Sequence, residues 1–404
     1  MIPLAIPNMA GNEARYLAEC VETNFVSSVG RFVTRLEEQC AGIAGTRRAV
    51  ATSAGTTGLQ LALLGVGVRP GDVVITPALS FIATANAVRH CGAEPWFVDI
   101  DADSWSLSPD QLSEALEAQG RRTADGWVHR PSGRRIAAIL PVHLNGIPAL
   151  MQELRAIADR FDVPLVADAA AAIGASLHHG QLFDLADASV FSFNGNKTVT
   201  AGGGGCVVTN DEQVADRMKH LSTTARTGPD YDHDEVGFNF RMTNLQAAVG
   251  CAQLEQVETF LAHKRTIQER YDRAFAGTLG ASPHIDYGTS ACWLSVAMTS
   301  GLDETRSLIA GLAERGVMAR TFFKPLNRQI PYVDAPSEAT PVSDRIWGRV
   351  LTLPCSTGLT EAEQETVIAA VHDAVGARVE AGAEFEAGAG AAETLATHSD
   401  SRAA

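Results

Sequence analysis

The sequence is poor in the features that mark disulfide, metal or membrane proteins. Its seven cysteines are scattered over 404 residues and none lies in a CxxC pair. An odd, dispersed set predicts reduced thiols, with neither a disulfide framework nor a metal site. The most apolar window, LQLALLGVGV at 59–68, is too short to span a bilayer. Because the N-terminus also lacks a basic segment followed by an apolar one, we expect a soluble cytoplasmic protein.

Basic residues are scarce as well. There are 32 Lys and Arg against 47 Asp and Glu, which gives a formal net charge of -15. Nucleic acids and anionic membrane surfaces attract basic patches, so neither is expected to be the main partner. The length and the 46% of hydrophobic residues are instead typical of a globular protein with two or three domains.

Strand-like and helix-like segments alternate between residues 48 and 209. The predicted strands are RAVAT (48–52), VVITP (73–77), PWFVD (95–99), IAAILPV (136–142), PLVAD (164–168), ASVFSF (188–193) and CVVT (206–209). Several of them are apolar on both faces, as expected where helices cover both sides of a sheet. The pattern predicts an α/β domain with a mainly parallel sheet of seven strands.

The second half of the sequence predicts one long helix over 244–275, followed by a smaller α+β unit. The apolar face of the helix contains Leu245, Val249, Leu254, Val257, Leu261 and Ile267. We therefore predict a large domain with an N-terminal arm over 1–260 and a small C-terminal domain over 261–379. Residues 380–404 have few large apolar side chains and no periodicity, so we predict a disordered tail without a catalytic part.

A single lysine, Lys197, lies in the glycine-rich segment SFNGNKTVTAGGGG (192–205). A phosphate-binding P-loop would have its glycines before the lysine, in the pattern GxxxxGK[ST]. Here most of the glycines follow the lysine, so that template fails. The remaining use of such a lysine is a covalent bond to a carbonyl cofactor.

Other candidate residues follow the ends of the predicted strands, where ligand sites form in parallel sheets. They are Gly55 and Thr56 in the SAGTTG turn, Phe81, Asp168, and Ser192 beside Lys197. The turn can bind a phosphate at a helix N-terminus. An acid can keep a pyridine nitrogen protonated, and the lysine can bond to an aldehyde carbon. Together these are the parts that hold pyridoxal phosphate.

Each candidate also has a simpler interpretation. Lys197 could be a surface lysine in a loop. Asp168 could be the N-cap of a helix that begins with the alanine run, and Phe81 could be a residue of the hydrophobic core. The four glycines fit a tight backbone turn. His143 in PVHLNG fits a structural hydrogen-bonding residue, and we do not assign it to the site. The case for a cofactor depends on the candidates occurring together.

The ordered motifs resemble the DegT/DnrJ/EryC1/StrS family of sugar aminotransferases. They include IPLAIPNMAGNE, NFVSSVGRFVTRLEEQCA, SAGTTGLQLAL, PVHLNGIPALM, VADAAAAIG, SFNGNKTVTAGGGG, GFNFRMTNLQAAVG and MARTFFKPLNRQIPY. The resemblance implies the aspartate-aminotransferase-like fold (fold type I), in which the large domain binds pyridoxal phosphate. The NGNKT form of the lysine motif is most similar to the branch that acts on 4-keto nucleotide sugars, such as perosamine-type enzymes.

Carried over by position, the resemblance implies a role for each candidate. Lys197 would be the Schiff-base residue, and Asp168 would pair with the pyridine nitrogen. Phe81 would stack on the cofactor ring, while Gly55, Thr56 and Ser192 would hold its phosphate. Asn239 of GFNFR would reach the phosphate of the neighbouring subunit, which implies a homodimer with shared sites. Arg241 and Arg320 are candidates for binding a substrate carboxylate or diphosphate, although either also fits a solvated surface charge.

Two positions depart from the family pattern. Ala171 stands where the family usually has Gln, Glu or His near the phenolic oxygen of the cofactor, and Ala54 stands where a serine is common. The lysine is retained, which argues against the dehydratase relatives that have histidine in its place.

The expected reaction is amino transfer from L-glutamate to C-4 of a nucleotide-linked 4-keto-6-deoxy sugar, as in amino sugar biosynthesis. One alternative is transfer at C-3 of a nucleotide sugar, or to a keto-cyclitol. Another is a regulatory homologue that binds pyridoxal phosphate without turnover, for which Ala171 would be the marker.

Overall fold

The computed structural model describes residues 1–378. The tail predicted over 380–404 lies outside the described residues. The prediction of two domains that meet near residue 260 stays a prediction.

The helices alternate with strands over most of the chain. They are α1 Glu13–Glu22, α2 Arg31–Ala44, α3 Gly55–Gly65, α4 Ala83–His90, α5 Pro109–Gln119, α6 Met151–Phe161, α7 Glu212–Ser222, α8 Asn244–Leu254, α9 Val257–Ala274, α10 Leu302–Glu314 and α11 Pro341–Arg349. Residues 361–378 form a further helix, α12.

The strands, several of them very short, are numbered in the same way. They are β1 Arg48–Thr52, β2 Val73–Pro77, β3 Glu94–Val98, β4 Gly120–Thr123, β5 Gly126–His129, β6 Arg134–Ile139, β7 Val166–Asp168, β8 Ser176–Leu177, β9 Ala188–Ser192, β10 Gly205–Thr209, β11 Arg226–Thr227, β12 Asp232–His233, β13 Gly288–Thr289, β14 Ser295–Met298, β15 Arg320–Thr321 and β16 Val350–Leu353.

The seven predicted strands of the main sheet are all present. They pair in the orders β1-β10-β9-β7 and β3-β2-β6. Parallel bridges from Ile139 to Leu165 and from Val142 to Asp168 connect the two groups. The pairs β2–β3, β2–β6 and β7–β9 are parallel, while β10 runs antiparallel to both β1 and β9. The prediction of a mainly parallel seven-stranded sheet is therefore confirmed.

One strand of this sheet continues into a hairpin that the sequence analysis missed. Strands β4 and β5 pair antiparallel, and β5 pairs antiparallel with the start of β6. The turn contains Gly126 at φ 109°, a left-handed conformation that suits glycine, and the Thr123 hydroxyl donates to the Gly126 carbonyl at 2.9 Å. The Asp125-Gly126 pair is a turn signal that could have revealed the hairpin.

The strands are apolar on both sides because helices cover both faces of the sheet. In β2, Val73 and Ile75 pack into the core on one face, whereas Val74 between them packs into the core on the other. Successive side chains of a strand point to opposite faces, so a doubly covered strand needs an unbroken apolar run. This arrangement leaves the carboxyl ends of the strands as the place where polar side chains can gather.

The prediction of a single helix over 244–275 is wrong, because this segment forms two helices. It breaks at Glu255 and Gln256, between α8 and α9. The Glu255 carboxylate accepts hydrogen bonds from Asn12, Tyr16 and Arg35, each at 2.6 Å. These tertiary contacts hold the break against α1 and α2. The buried face of α8 also differs from the predicted one, because Ala247, Ala248 and Cys251 are buried while Leu245 and Val249 are only half-buried.

A second sheet forms the smaller α+β unit, in the order β14-β16-β15. Its core includes side chains from α9, α10 and α12. The N-terminus also belongs to this region, because Ile2 bridges to Val317 in parallel. In α9, buried Lys264 donates to the Cys355 carbonyl at 2.6 Å, which fixes this helix to the end of β16. Among residues 1–378, no helix combines the length and apolar character that a membrane span requires.

Candidate active site

The strand ends of the main sheet surround a cavity of about 300 Å³. The predicted residues that line it are Gly55, Thr56, Phe81, Asp168, Ser192, Lys197 and Arg320. Asn239 and Arg241 do not line this cavity. Seven of the nine residues predicted to bind the ligand therefore line one cavity of a single chain.

Lys197 lines the cavity, and its side chain is half-buried. Burial lowers the pKa of its amine to about 7, the carboxyl of Asp168 opposes that shift, and the charge of Arg320 adds to it. Its Nζ lies 3.4 Å from the ring centroid of Trp293. A lowered pKa favours the unprotonated amine, which is the form that can act as a nucleophile or a base.

Asp168 ends β7 and is 5% exposed. Burial raises the pKa of its carboxyl, whereas the hydrogen bonds from Thr84 and Ala170 and the charge of Lys197 act in the opposite direction. The Thr84 hydroxyl donates to Oδ2 at 2.7 Å, and the Ala170 N–H donates to Oδ1 at 3.1 Å. The alanines that follow form turns and no helix, so the N-cap interpretation is wrong.

Helix α3 presents its N-terminus to the cavity. Ala54 is in an extended conformation before the first helical residue, Gly55, and offers no side-chain cap. The first N–H groups of a helix have no partner within the helix, so those of Gly55 and Thr56 are suited to bind an anion. A Cβ at Gly55 would lie 2.8 Å from the Ser192 Cβ, so only glycine lets the turn approach that serine so closely.

Phe81 is not a core residue. Its side chain is 56% exposed at the cavity, and its ring lies 5.6 Å from that of Phe323, centroid to centroid. Phe323 follows β15 in the smaller unit. The two rings therefore contribute an aromatic wall from both parts of the chain.

His143 and Ala171 also line the cavity. The Ala149 N–H donates to His143 Nδ1 at 2.9 Å, and burial lowers the pKa of the imidazole to about 4. This bond agrees with the structural interpretation of His143. Its Nε2 has no hydrogen-bond partner among residues 1–378.

Asn239 and Arg241 lie beside the SAGTTG turn but outside the cavity. Asn239 is exposed, and its Oδ1 accepts hydrogen bonds from Nε and Nη2 of Arg241, both at 3.3 Å. Between them, the Phe240 carbonyl accepts from the Ser53 N–H at 2.7 Å. The assignment of Asn239 to the site of a neighbouring subunit stays a prediction.

Two residues at the cavity were missed by the sequence analysis. Thr84 contacts Asp168 from the first turn of α4, and Trp293 contacts Lys197 from the start of the smaller unit. Neither lies in a motif that predicts a ligand. A hydroxyl one turn beyond Phe81 gave a weak signal for Thr84, while nothing near ACWL distinguishes Trp293 from a core tryptophan.

These residues fit pyridoxal phosphate on chemical grounds. The first N–H groups of α3, which have no partner within the helix, and the Ser192 hydroxyl suit its phosphate. The buried carboxylate of Asp168 has two donors from the chain, and a protonated ring nitrogen would satisfy its remaining acceptor capacity. The Lys197 amine suits an aldehyde carbon.

Comparison with known proteins agrees with this chemistry. A model of the DegT/DnrJ/EryC1/StrS aminotransferase family matches residues 7–372. GDP-perosamine synthase of Caulobacter vibrioides is 37% identical over 376 residues, which are 92% of this chain and 97% of that protein. UDP-2-acetamido-2-deoxy-3-oxo-D-glucuronate aminotransferase of Pseudomonas aeruginosa is 31% identical, over 85% of this chain and 90% of that protein.

A solved structure gives the same result. The crystal structure of DesI, determined in the presence of its TDP-sugar product, superposes with a TM-score of 0.84 at 29% identity and covers 95% of each chain. The aminotransferase fold expected from the sequence is thereby confirmed. The chain therefore belongs to the DegT/DnrJ/EryC1/StrS aminotransferase family and is a pyridoxal-phosphate-dependent aminotransferase.

Proposed function

We propose that this aminotransferase moves the amino group of L-glutamate to C-4 of a nucleotide-linked 4-keto-6-deoxy sugar. The observation that carries the chemistry is the half-buried Lys197 amine, with a lowered pKa, in the same cavity as the buried Asp168 carboxyl. The NGNKT motif and the similarity to a GDP-perosamine synthase support a 4-keto nucleotide sugar as the acceptor.

The cofactor-binding residues follow from their chemistry. Pyridoxal phosphate, when bound, carries the amino group and provides an electron sink. In this proposal the N–H groups of Gly55 and Thr56 and the Ser192 hydroxyl bind its phosphate. Asp168 holds a proton at the ring nitrogen, and Thr84 orients the carboxylate that does so. Phe81 covers one face of the ring.

Lys197 has two tasks in this proposal. Its neutral Nζ would hold the cofactor through its aldehyde carbon, and the same amine, when free, would accept and return the proton that moves during amino transfer. A general base works best when its pKa lies near the working pH, which agrees with a pKa of about 7. Burial thus prepares the lysine for both tasks.

Arg320 is proposed to bind an anionic group of the substrate. Its side chain is half-buried, burial lowers its pKa, and it forms no ion pair with any carboxylate among the described residues. A partly desolvated guanidinium is stabilised when a carboxylate or phosphate accepts its hydrogen bonds. The carboxylates of L-glutamate and the diphosphate of the sugar both offer such oxygens.

We further propose a homodimer in which Asn239 and Arg241 serve the partner subunit's cavity. Both residues lie beside the phosphate-binding turn but outside their own cavity, which supports this assignment. Exposed apolar side chains in the N-terminal region, including Val21, Phe25 and Val29, support a further contact surface there.

A second candidate reaction is transfer at C-3. It is favoured by the similarity to the Pseudomonas aeruginosa enzyme, whose name specifies a 3-oxo sugar. The two candidates differ in the carbon that receives nitrogen, so a labelling experiment distinguishes them.

The first prediction concerns the covalent site. Borohydride reduction of the protein purified with pyridoxal phosphate is expected to fix the cofactor on Lys197, because its neutral amine lies in the cavity. Peptide mass mapping would locate the label. The buried Lys264, whose amine is bonded to the Cys355 carbonyl, provides an internal control and is expected to remain unlabelled. A label on another lysine, or none with cofactor present, would reject the assignment.

The second prediction concerns the position of amination. The protein is incubated with ¹⁵N-labelled L-glutamate and a panel of 4-keto and 3-keto UDP-, GDP- and dTDP-sugars, and the products are analysed by NMR. We expect ¹⁵N on C-4 of a 4-keto-6-deoxy sugar. Nitrogen on C-3, or only on a free α-keto acid, contradicts this proposal.

The third prediction concerns the shared sites. Lys197→Ala and Asn239→Ala chains, each inactive alone, are mixed under conditions in which subunit exchange is followed by mass spectrometry. A hybrid dimer rebuilds one intact site, so activity is expected to recover to about a quarter of the wild-type value at full exchange. Exchange without recovered activity would count against shared sites.

A further inference from the structure

Trp293 belongs to the hydrophobic core of the smaller unit and also contacts Lys197. The residue is 5% exposed, and the face of its indole ring lies 3.4 Å from Lys197 Nζ, measured to the ring centroid. Its Nε1–H donates to the backbone carbonyl of Asn196 at 2.8 Å. One side chain thus contacts the lysine amine and also fixes the residue that precedes the lysine.

The opposite end of Trp293 is fixed to the main sheet. Its backbone N–H donates to the Asn145 carbonyl at 3.1 Å. The Asn145 side chain binds the next residue, Leu294, at both backbone groups, accepting from its N–H and donating to its carbonyl at 2.9 Å each. Asn145 itself is buried and has a φ of 57°, in the left-handed region. The backbone that carries the indole is therefore tied to the loop that follows β6.

Three charged or aromatic groups act on the Lys197 amine besides burial. Asp168 favours the ammonium and Arg320 disfavours it. His143, which also lines the cavity, is neutral near pH 7 because its pKa is about 4. The electron-rich face of an indole attracts a cation, and this attraction is stronger where water is excluded. Nζ donates no hydrogen bond to any described residue, so the indole face is the group that it contacts directly.

We propose that Trp293 is a positioning residue for Lys197: it holds the amine at the cofactor and stabilises its protonated form when that amine is not bonded to the cofactor. The inference rests on the role proposed above for Lys197. To act as a base, Lys197 must be able to accept a proton and must also be stabilised once it carries the positive charge. Burial and Arg320 keep the amine able to accept a proton, and Trp293 together with Asp168 makes the resulting ammonium tolerable in a buried site.

The aromatic neighbours of Trp293 hold its indole ring beside Lys197. The Trp293 ring is stacked on Phe323, with 6.2 Å between centroids and 21° between planes. Phe323 in turn contacts Phe81. The indole is thus wedged between the lysine and the aromatic wall of the cavity, which limits where the amine can rest.

The test measures the pKa of Lys197 through the pH dependence of cofactor capture. Cofactor-free full-length protein is mixed with pyridoxal phosphate, and the rate at which the visible band appears is followed across neutral pH. In this step the neutral amine adds to the aldehyde carbon and one water leaves, so the rate rises as Lys197 loses its proton. Free cofactor titrates identically in every variant, so differences between variants report the lysine.

Trp293→Met keeps an apolar side chain but removes the aromatic face. We expect the midpoint of the capture rate to move to lower pH, by about 0.4 to 1.5 units, since loss of ammonium stabilisation lowers the pKa of Lys197. Trp293→Phe retains a smaller aromatic face and is expected to shift less, but to lose turnover because the bond to the Asn196 carbonyl is gone. Trp105→Phe, a change at a buried indole outside the cavity, is the matched control and should leave the midpoint unchanged.

The outcomes separate this inference from the proposed function. Trp293→Leu is measured beside Trp293→Met, so that one variant remains if the other fails to fold. If wild-type protein bonds the cofactor at Lys197 but the midpoint is unchanged in the folded variants, the inference is overturned. It is also overturned if Trp105→Phe shifts the midpoint as much as they do. If the wild-type label falls on another lysine, the proposed role of Lys197 has failed instead.

Discussion

Desolvation of a half-buried lysine and a buried carboxyl in one cavity is the constraint on which the rest of the site depends. Burial is the largest influence on both groups, and it disfavours the charged form of each. Asp168 and Lys197 act on each other within one cavity without forming a direct ion pair, so each remains available to a ligand between them. A surface pair with the same residues would be solvated and would have ordinary pKa values.

The fold supplies this environment through the ends of its strands. Asp168 ends β7, Lys197 follows β9, and the anion-binding turn follows β1, so three separate strands deliver their polar groups to one edge of the sheet. The smaller unit completes the cavity with Trp293, Arg320 and Phe323. The lining of the cavity around the lysine is therefore built from both the main sheet and the smaller unit.

Much of this was predictable from local patterns. All seven strands of the main sheet follow from apolar runs. Six of the nine predicted site residues follow the ends of those runs, and all six line one cavity. What local patterns missed depends on contacts between distant residues. The break at Glu255 is held by Asn12, Tyr16 and Arg35, and the place of Trp293 is set by Asn145. Such pairs leave no periodic signal in a single sequence.

The most direct measurement of the central claim is the ¹⁵N NMR shift of the ring nitrogen in protein loaded with ¹⁵N-labelled pyridoxal phosphate. If the buried Asp168 carboxylate holds a proton there, the nitrogen should be protonated at and above neutral pH in the wild type, and the proton should be lost at lower pH in Asp168→Asn. Thr84→Val, which removes the hydroxyl bound to Oδ2, should give an intermediate result. An unprotonated nitrogen in the wild type at neutral pH would contradict the account.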